Sequence, residues 1–497
     1  MFDKPVSELL EPEHVEHVKA LPDGVRKETG LVLDTEGLDG QLSLKVASDG
    51  HTVLLPQPTD DPSDPLNWSW YRKHLVLFTT AWAAMCADFT SAAGSSIIFH
   101  QAEQWHISPT RANQPNAINI LFGCRLAVNI GTAVAPSYNT YFAMRVLSGL
   151  FLTSGQTIAI ALLRDIFFFH ERARKVGLWA ALYIASPYLG PCLGNFVIYE
   201  TNHWPDVWWM GVGVVGVQLL LVLFCLDETW YNREVPHLDQ PSRRLDFGSR
   251  LMRLMGIWQL QHRNYLQDTK PVLKKLFTTI TRPAFALICF AYFLCFAWAI
   301  GINISSTILF SRPTEVGGYG FSTRTIGFLY FTTFVAVFLG EVFGHYFNDY
   351  ITSQRYIKKH RGLYQPEVRL WTIYISIGLM IPSLILVGQS FERTLNIAAV
   401  IMGWGTYIFG LMLMSVSVTA YGLDSYPTVP AELGGWINFA RTAGGFSVGY
   451  YQEPWLELVG ADASFGTQAG IVAFAVVPVA LAHIYGGRLR QRFVIDV

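Results

Sequence analysis

Asp88, Arg145, Glu341, Arg441 and Glu453 are ionisable residues placed within or near the ends of long apolar runs. On insertion scales a charge near the middle of a membrane helix costs about 2.5–3.5 kcal/mol, so each is a candidate for chemistry rather than solubility. Asp88 is the fourteenth of 24 residues in the run 75–98. A low dielectric disfavours its charged form, which equips it to take a proton from one side of a membrane and release it to the other. The plainer reading is a carboxyl hydrogen-bonded to Thr90 or to a neighbouring helix. Arg145 keeps its proton at ordinary pH and would serve as a fixed cation that pairs with a carboxylate or a substrate. Glu341, Arg441 and Glu453 are further proton-coupling or substrate candidates, against the alternatives of snorkelling to the interface or structural pairing.

A second set is polar or conformational. Pro191 removes an intrahelical hydrogen bond and kinks its helix, while Gly190 and Gly194 let a neighbouring helix approach closely; Gly340 and Gly344 repeat that spacing. Gln156, Asn303, Tyr407 and Asn438 are expected to line a central cavity able to accept a large, partly apolar ligand. Trp298, Tyr330, Trp404 and Tyr451 divide between that cavity and ordinary packing. Gly445-Phe446-Ser447-Val448-Gly449 spells the nucleophile elbow of serine hydrolases, but that elbow needs a strand-to-helix turn and these residues continue an apolar helix. His14, Glu16 and His17 could meet around a metal ion; a solvated acidic tail is the better reading, and no metal or cofactor is expected. The cysteines, Cys86, Cys124, Cys192, Cys225, Cys289 and Cys295, all lie in apolar runs without metal-site spacing, which argues against a disulfide scaffold or zinc domain. Nucleotide-binding and metalloprotease motifs and a basic nucleic-acid face are absent from the sequence. No enzyme is indicated.

The elements that must position these residues follow from composition. Of 497 residues 51% are hydrophobic and only 15% charged, against roughly 25% charged in soluble proteins. The apolar residues gather into runs at 75–98, 117–136, 141–163, 176–199, 207–226, 284–309, 325–347, 370–388, 396–423, 433–459 and 467–485. Continuous runs of this length cross a bilayer as helices, and their lack of alternation excludes barrel strands. The chain thus reads as an all-α, multi-pass integral membrane protein with about 11 spans. Residues 1–74 form an acidic, mostly disordered cytosolic tail, and Glu8, Glu11, Glu13 and Glu16 interrupt any signal-peptide core. Residues 75–226 form an N-terminal helix bundle, incomplete around 117–136. A polar central loop, 227–283, carries ten Lys/Arg, and 284–497 form a C-terminal bundle with a short basic tail.

Orientation follows from the basic segments. Residues 164–175, 227–283, 348–369 and the C-terminus are rich in Lys/Arg and belong in the cytosol. That assignment puts both 99–116 and 137–140 outside, so the single run 117–136 cannot join them as one crossing. It should be re-entrant or displaced, or the tail should lie outside.

Two helix groups joined by a basic loop resemble the major facilitator superfamily, and the details resemble its fungal drug:proton antiporter branch. The residues that carry the likeness are Asp64-Pro65-Leu66-Asn67-Trp68 before the first span, Arg145-Val146-Leu147-Ser148-Gly149, Arg164 to Arg172, Gly190-Pro191-Cys192-Leu193-Gly194, and Asp227-Glu228-Thr229-Trp230-Tyr231. One departure is specific: the family's Gly/Asp/Arg-rich loop between its second and third helices has no counterpart near Gly123–Val128. One helix and its loop motif are therefore expected to be missing, through gene-model or splicing error or natural truncation. Gly344 and Asn348-Asp349 keep a weak counterpart in the second half.

The resemblance implies two pseudo-symmetric bundles, 11 spans instead of 12, with alternating access around a midplane site. It implies a secondary active transporter that exports a small organic compound (a drug, polyamine or secondary metabolite) by proton antiport. The expected partners are that substrate, protons and lipid, with no nucleic acid; the expected state is a monomer, in the plasma membrane rather than the vacuole. The alternative is a non-transporting solute receptor or an inactive truncated transporter.

Overall fold

The computed structural model describes Lys45, Leu54, residues 56–106, 125–349 apart from 153, 158, 234, 236–238, 242, 244–245, 263–268 and 315–317, and 366–493 apart from 427–428. Every regular element among them is helical. The main helices are α1 (Trp70–Ala93), α2 (Arg125–Ala133), α3 (Tyr138–Leu152), α4 (Phe169–Thr201), α5 (Pro205–Cys225), α6 (Pro283–Ser311), α7 (Phe331–Asp349), α8 (Leu370–Glu392), α9 (Ile397–Ser425), α10 (Pro430–Val459), α11 (Ala461–Phe474) and α12 (Val476–Arg492). Their starts obey local rules. Ser69 caps α1 and Asn396 caps α9 through side-chain oxygens, and Pro205, Pro283 and Pro430 open helices where no backbone donor is needed.

Eight helical stretches among the described residues are long and apolar enough to cross a membrane, rather than the 11 expected. The other three runs differ for separate reasons. The run 141–163 is described in pieces, α3 followed by Ser154–Thr157 and Ala159–Ile166. The run 433–459 forms the unbroken 30-residue α10 but is too polar to qualify, with Asn438, Arg441, Gln452 and Glu453 along it. Of the run 117–136 only residues 125–136 are described, with α2 over Arg125–Ala133.

The position of α2 answers the crossing problem in part. Ala133 and Ala135 share one buried cluster with Ala93 and Ile97 after α1, Tyr141 of α3, Ile198 of α4, and Trp204, Val207 and Trp208 at the start of α5. The end of the first span, the α2–α3 turn and the α4–α5 turn therefore lie on one face, opposite the basic face, as the charge pattern requires.

Two equivalent crossings display the pseudo-symmetry. A Cβ on Gly190 of α4 would lie 2.3 Å from the Phe89 carbonyl oxygen and 2.8 Å from the Ala93 nitrogen of α1. A Cβ on Gly444 of α10 would lie 2.8 Å from the Phe293 carbonyl oxygen and 3.3 Å from the Ala297 nitrogen of α6. In each half one glycine lets a helix rest on the backbone of that half's first span, over the same Phe-x-x-x-Ala spacing. The halves meet where α4 packs on α7 and Thr323–Leu329, and where α10 packs on Ser154–Thr157 and Ala159–Ile166.

On the basic face, part of the stretch read as a disordered tail is folded. Asp61 and Asp64 are buried; Asp64 accepts from the Leu66 amide and pairs with Arg233 at 3.0 Å, and Asp61 accepts from the Tyr231 hydroxyl at 2.9 Å. Asp227 receives Arg253 at 2.8 and 3.0 Å and Arg72 at 3.2 Å. Arg243 donates to the Glu228 carbonyl, Arg250 to that of Leu226, and Gln259 to the Glu228 carboxylate. The first part of the central loop is thereby strapped to the N-terminal half. Its last helix, Thr269–Ile280, packs instead on α6 and α10, with the Trp436 indole donating to the Leu276 carbonyl at 2.7 Å. Residues 1–44, including His14, Glu16 and His17, lie outside the described residues.

Candidate functional site

Asp88 and Arg441, 353 residues apart in sequence, meet at 2.5 Å between Oδ2 and Nη1. Asp88 comes from α1 and Arg441 from α10, so the pair joins the two halves. The Arg441 side chain is 4% exposed and that of Asp88 19%. Arg441 Nη2 also donates to Gln156 Oε1 at 3.0 Å and to Asn438 Oδ1 at 2.9 Å. Its guanidinium carbon lies 4.5 Å from the ring centre of Tyr183 on α4 and 5.2 Å from that of Phe296 on α6, within cation–π range.

Each group is aimed by its own element. Asn438 sits one turn before Arg441 on the same face of α10. Gln156 donates its amide to the Ala84 carbonyl at 3.2 Å, which turns its oxygen toward Arg441. That reach requires a close approach: a Cβ on Gly155 would lie 2.7 Å from the Ala83 carbonyl carbon of α1. Tyr183 is braced by stacking on Trp179, centroids 5.0 Å apart. The Tyr183 carbonyl, deprived of its helical donor by Pro187, accepts instead from the Ser186 hydroxyl at 2.6 Å.

The remaining candidates lie elsewhere. Arg145 is fully buried within the N-terminal half. It donates to the Thr90 and Ser91 carbonyls at 3.2 and 2.9 Å, and its guanidinium lies 4.5 Å from the Trp208 ring centre. Those carbonyls stand where α1 gives way to the 3₁₀ turn Gly94–Ile97 and the helical ladder changes register. Arg145 thus supports the helix just beyond Asp88 rather than joining its carboxylate. Glu341 on α7 packs against Gly177 of α4, where a Cβ would come within 2.6 Å of Oε1. It lies at the boundary between halves, outside the central cluster. Glu453 borders a separate cavity of about 210 Å³ with Ser305, Arg312 and Glu457.

The cavity candidates also divide. Gln156 and Asn438 join the centre. Asn303 accepts from the Tyr330 hydroxyl, and Tyr407 donates to the Cys295 carbonyl, both at 2.5 Å within the C-terminal half. Gly190 and Gly194 face α1 and the Ser96 side chain. The other face of α4 meets the second half, where the Cys192 thiol donates to the Gly327 carbonyl. Ser447 donates to the Gly444 carbonyl in mid-helix, so no elbow forms. Tyr183 and Phe296 were not singled out from sequence, because nothing distinguishes them from other aromatic residues of apolar spans.

The family model described as Major Facilitator Superfamily matches residues 117–449, two thirds of the chain. The chain belongs to the major facilitator superfamily. This facilitator is 22% identical to an uncharacterised MFS-type transporter of Schizosaccharomyces pombe, over 89% of each chain. It is also 22% identical to the multidrug transporter TPO3 of Candida glabrata, over 87% of this chain and 71% of that one. Polyamine transporter 3 of Saccharomyces cerevisiae matches at 20% identity, over 78% and 64%. Among solved structures, the human organic anion transporter MFSD10 (TETRAN) matches with 18% identity and a TM-score of 0.41, over 82% and 83%. By its family match the protein is an integral, multi-pass membrane transporter of the facilitator fold and not an enzyme.

Proposed function

We propose that this facilitator exports a small organic compound (a drug, polyamine or secondary metabolite) against inward proton flow, with Asp88 as the proton-exchanging carboxyl. The observation that carries the reading is the Asp88–Arg441 pair, which ties α1 to α10 across the interface of the halves. Rocking the halves apart stretches or breaks it. A proton on Asp88 removes the charge that holds Arg441, so protonation biases the balance between closed and open arrangements. The fungal relatives named for multidrug and polyamine transport support the substrate class. Residence in the plasma membrane as a monomer completes the proposal.

The test is flux in proteoliposomes. Accumulation of a compound from a drug and polyamine panel, driven by an imposed pH gradient and abolished by a protonophore, is the expected result. Binding without accumulation would favour a second reading, a solute receptor or inactive transporter. The departure near Gly123–Val128, where the family's loop between its second and third helices has no counterpart in the sequence, is what speaks for that reading.

A further inference from the structure

The Arg441 head group occupies a site that has the character of a ligand pocket. Two nitrogens of one planar group meet three oxygens: Asp88 Oδ2 on Nη1, and Gln156 Oε1 and Asn438 Oδ1 together on Nη2. Its carbon lies within cation–π range of Tyr183 and Phe296. Gln156 has given an amide proton to Ala84 and offers Arg441 an acceptor. Both halves supply walls, Asp88, Gln156 and Tyr183 from one and Asn438 and Phe296 from the other.

We propose that this cluster is a binding box for planar nitrogen cations, guanidinium and amidinium compounds, and that Arg441 fills it in the closed state as a tethered stand-in for the ligand. A planar, delocalised cation can donate in its plane while its face rests on an aromatic ring. An ammonium directs three donors tetrahedrally and is more strongly hydrated, so it leaves either an oxygen or a ring unused. Asp88 retains more exposure than Arg441, so an incoming cation meets the carboxylate before displacing the guanidinium. Substrate and side chain then compete for one position, and expelling the side chain removes the tie between the halves.

The inference rests on the exporter reading only for the use made of the ligand; the box itself is tested by binding. In the purified full chain, Arg441→Ala vacates the head-group position and leaves the other walls in place. Thermal unfolding is followed while ethylguanidinium chloride or ethylammonium chloride is added at matched ionic strength. Ethylguanidinium should raise the melting temperature saturably, with an apparent affinity at least about tenfold tighter than ethylammonium. Asp88→Asn in the same background should weaken the binding of both salts by at least about tenfold. Equal responses to the two salts, or binding unchanged by Asp88→Asn, would overturn the proposal. Should Arg441→Ala fail to fold, Arg441→Met keeps the stem volume and carries the same titration. Failure of both variants even with ethylguanidinium present throughout purification also counts against the box, because a filled site should restore the lost contacts. Discrimination without gradient-driven flux in the parent retires the exporter and keeps the box; flux without discrimination does the reverse.

Discussion

Asp88→Asn takes the charge out of the centre and leaves one of the two carboxylate oxygens, as an amide carbonyl. In the parent, Arg441 is almost fully enclosed and holds one carboxylate oxygen at 2.5 Å and two amide oxygens at 3.0 and 2.9 Å. Removing one member of a fully buried pair costs about 3–5 kcal/mol. Two features of this site lower that figure. Asp88 keeps 19% of its exposure, and asparagine still presents an acceptor while Gln156, Asn438 and Tyr183 hold the rest of the guanidinium. The expected loss is about 1–2 kcal/mol, a few degrees in melting temperature for a chain of this size, so folding and surface expression survive. Titration does not survive. Gradient-driven accumulation in proteoliposomes should fall to background while downhill exchange persists, and Asp88→Glu should keep partial activity with a shifted pH optimum. Combining Asp88→Asn with Arg441→Gln should give less than the sum of the single effects on stability, with a coupling of about 1–3 kcal/mol. If Asp88→Asn accumulates substrate against a gradient as well as the parent, with the same pH dependence, the coupling role passes to another carboxyl, Glu341 first.

Three further outcomes follow from packing and charge. Gly190→Ala should destabilise by about 1–3 kcal/mol, because the added methyl meets backbone atoms of Phe89 and Ala93, whereas Gly216→Ala, which meets nothing within 4 Å, should be neutral or slightly stabilising; parallel melting curves decide. On the basic face, burial opposes ionisation of Asp227, but the Arg253 hydrogen bonds and the nearby Arg72 outweigh it and hold the carboxyl below its ordinary value of 3.8. Asp227→Asn should therefore lose about 1–3 kcal/mol at neutral pH, with the deficit closing as pH falls below 3.8 and through the lowered folded value. Asp165, just beyond the run 141–163, is the opposite case: burial pushes its carboxyl up to about 6 despite the Thr229 hydroxyl and the charges of Arg164 and Arg233. Its contribution is present below about 3.8 and lost by about pH 6, so Asp165→Asn should melt above the parent at neutral pH, by the equivalent of about 1–3 kcal/mol, and level with it in acid.

The sequence displayed Asp88 and Arg441 separately, because a charge in an apolar run stands out by its cost. Their meeting was not legible: which face a membrane helix turns inward depends on packing partners that hydropathy does not encode. Tyr183 and Phe296 were hidden for the same reason, since an aromatic ring suits lipid, core and cation equally. Arg145 could be read as a fixed cation, but it donates to the Thr90 and Ser91 carbonyls, and no pattern announces the 3₁₀ turn that follows them. Asn303 and Tyr407 have the polarity of a cavity lining yet spend it inside their own half. The resemblance pointed to Asp64-Pro65-Leu66-Asn67 and Asp227-Glu228-Thr229-Trp230-Tyr231 as separate motifs. That they are two sides of one clasp, through Tyr231 to Asp61 and Arg233 to Asp64, needed coordinates.

The strapped central loop also sets a limit on travel. From Leu226 to Gln259 it is folded on its own start by Arg243, Arg250, Arg253 and Gln259 and tied to the first half by Arg72 on Asp227, Tyr231 on Asp61 and Arg233 on Asp64, and from Thr269 it packs on α6 and α10. Covalent geometry alone bounds the separation of His262 and Thr269: seven residue steps at ~3.3–3.6 Å each reach about 25 Å. While both fastenings hold, the two points cannot part further than that. A loop that looks in sequence like generous slack is, mechanically, a short stop on how wide the basic face can open.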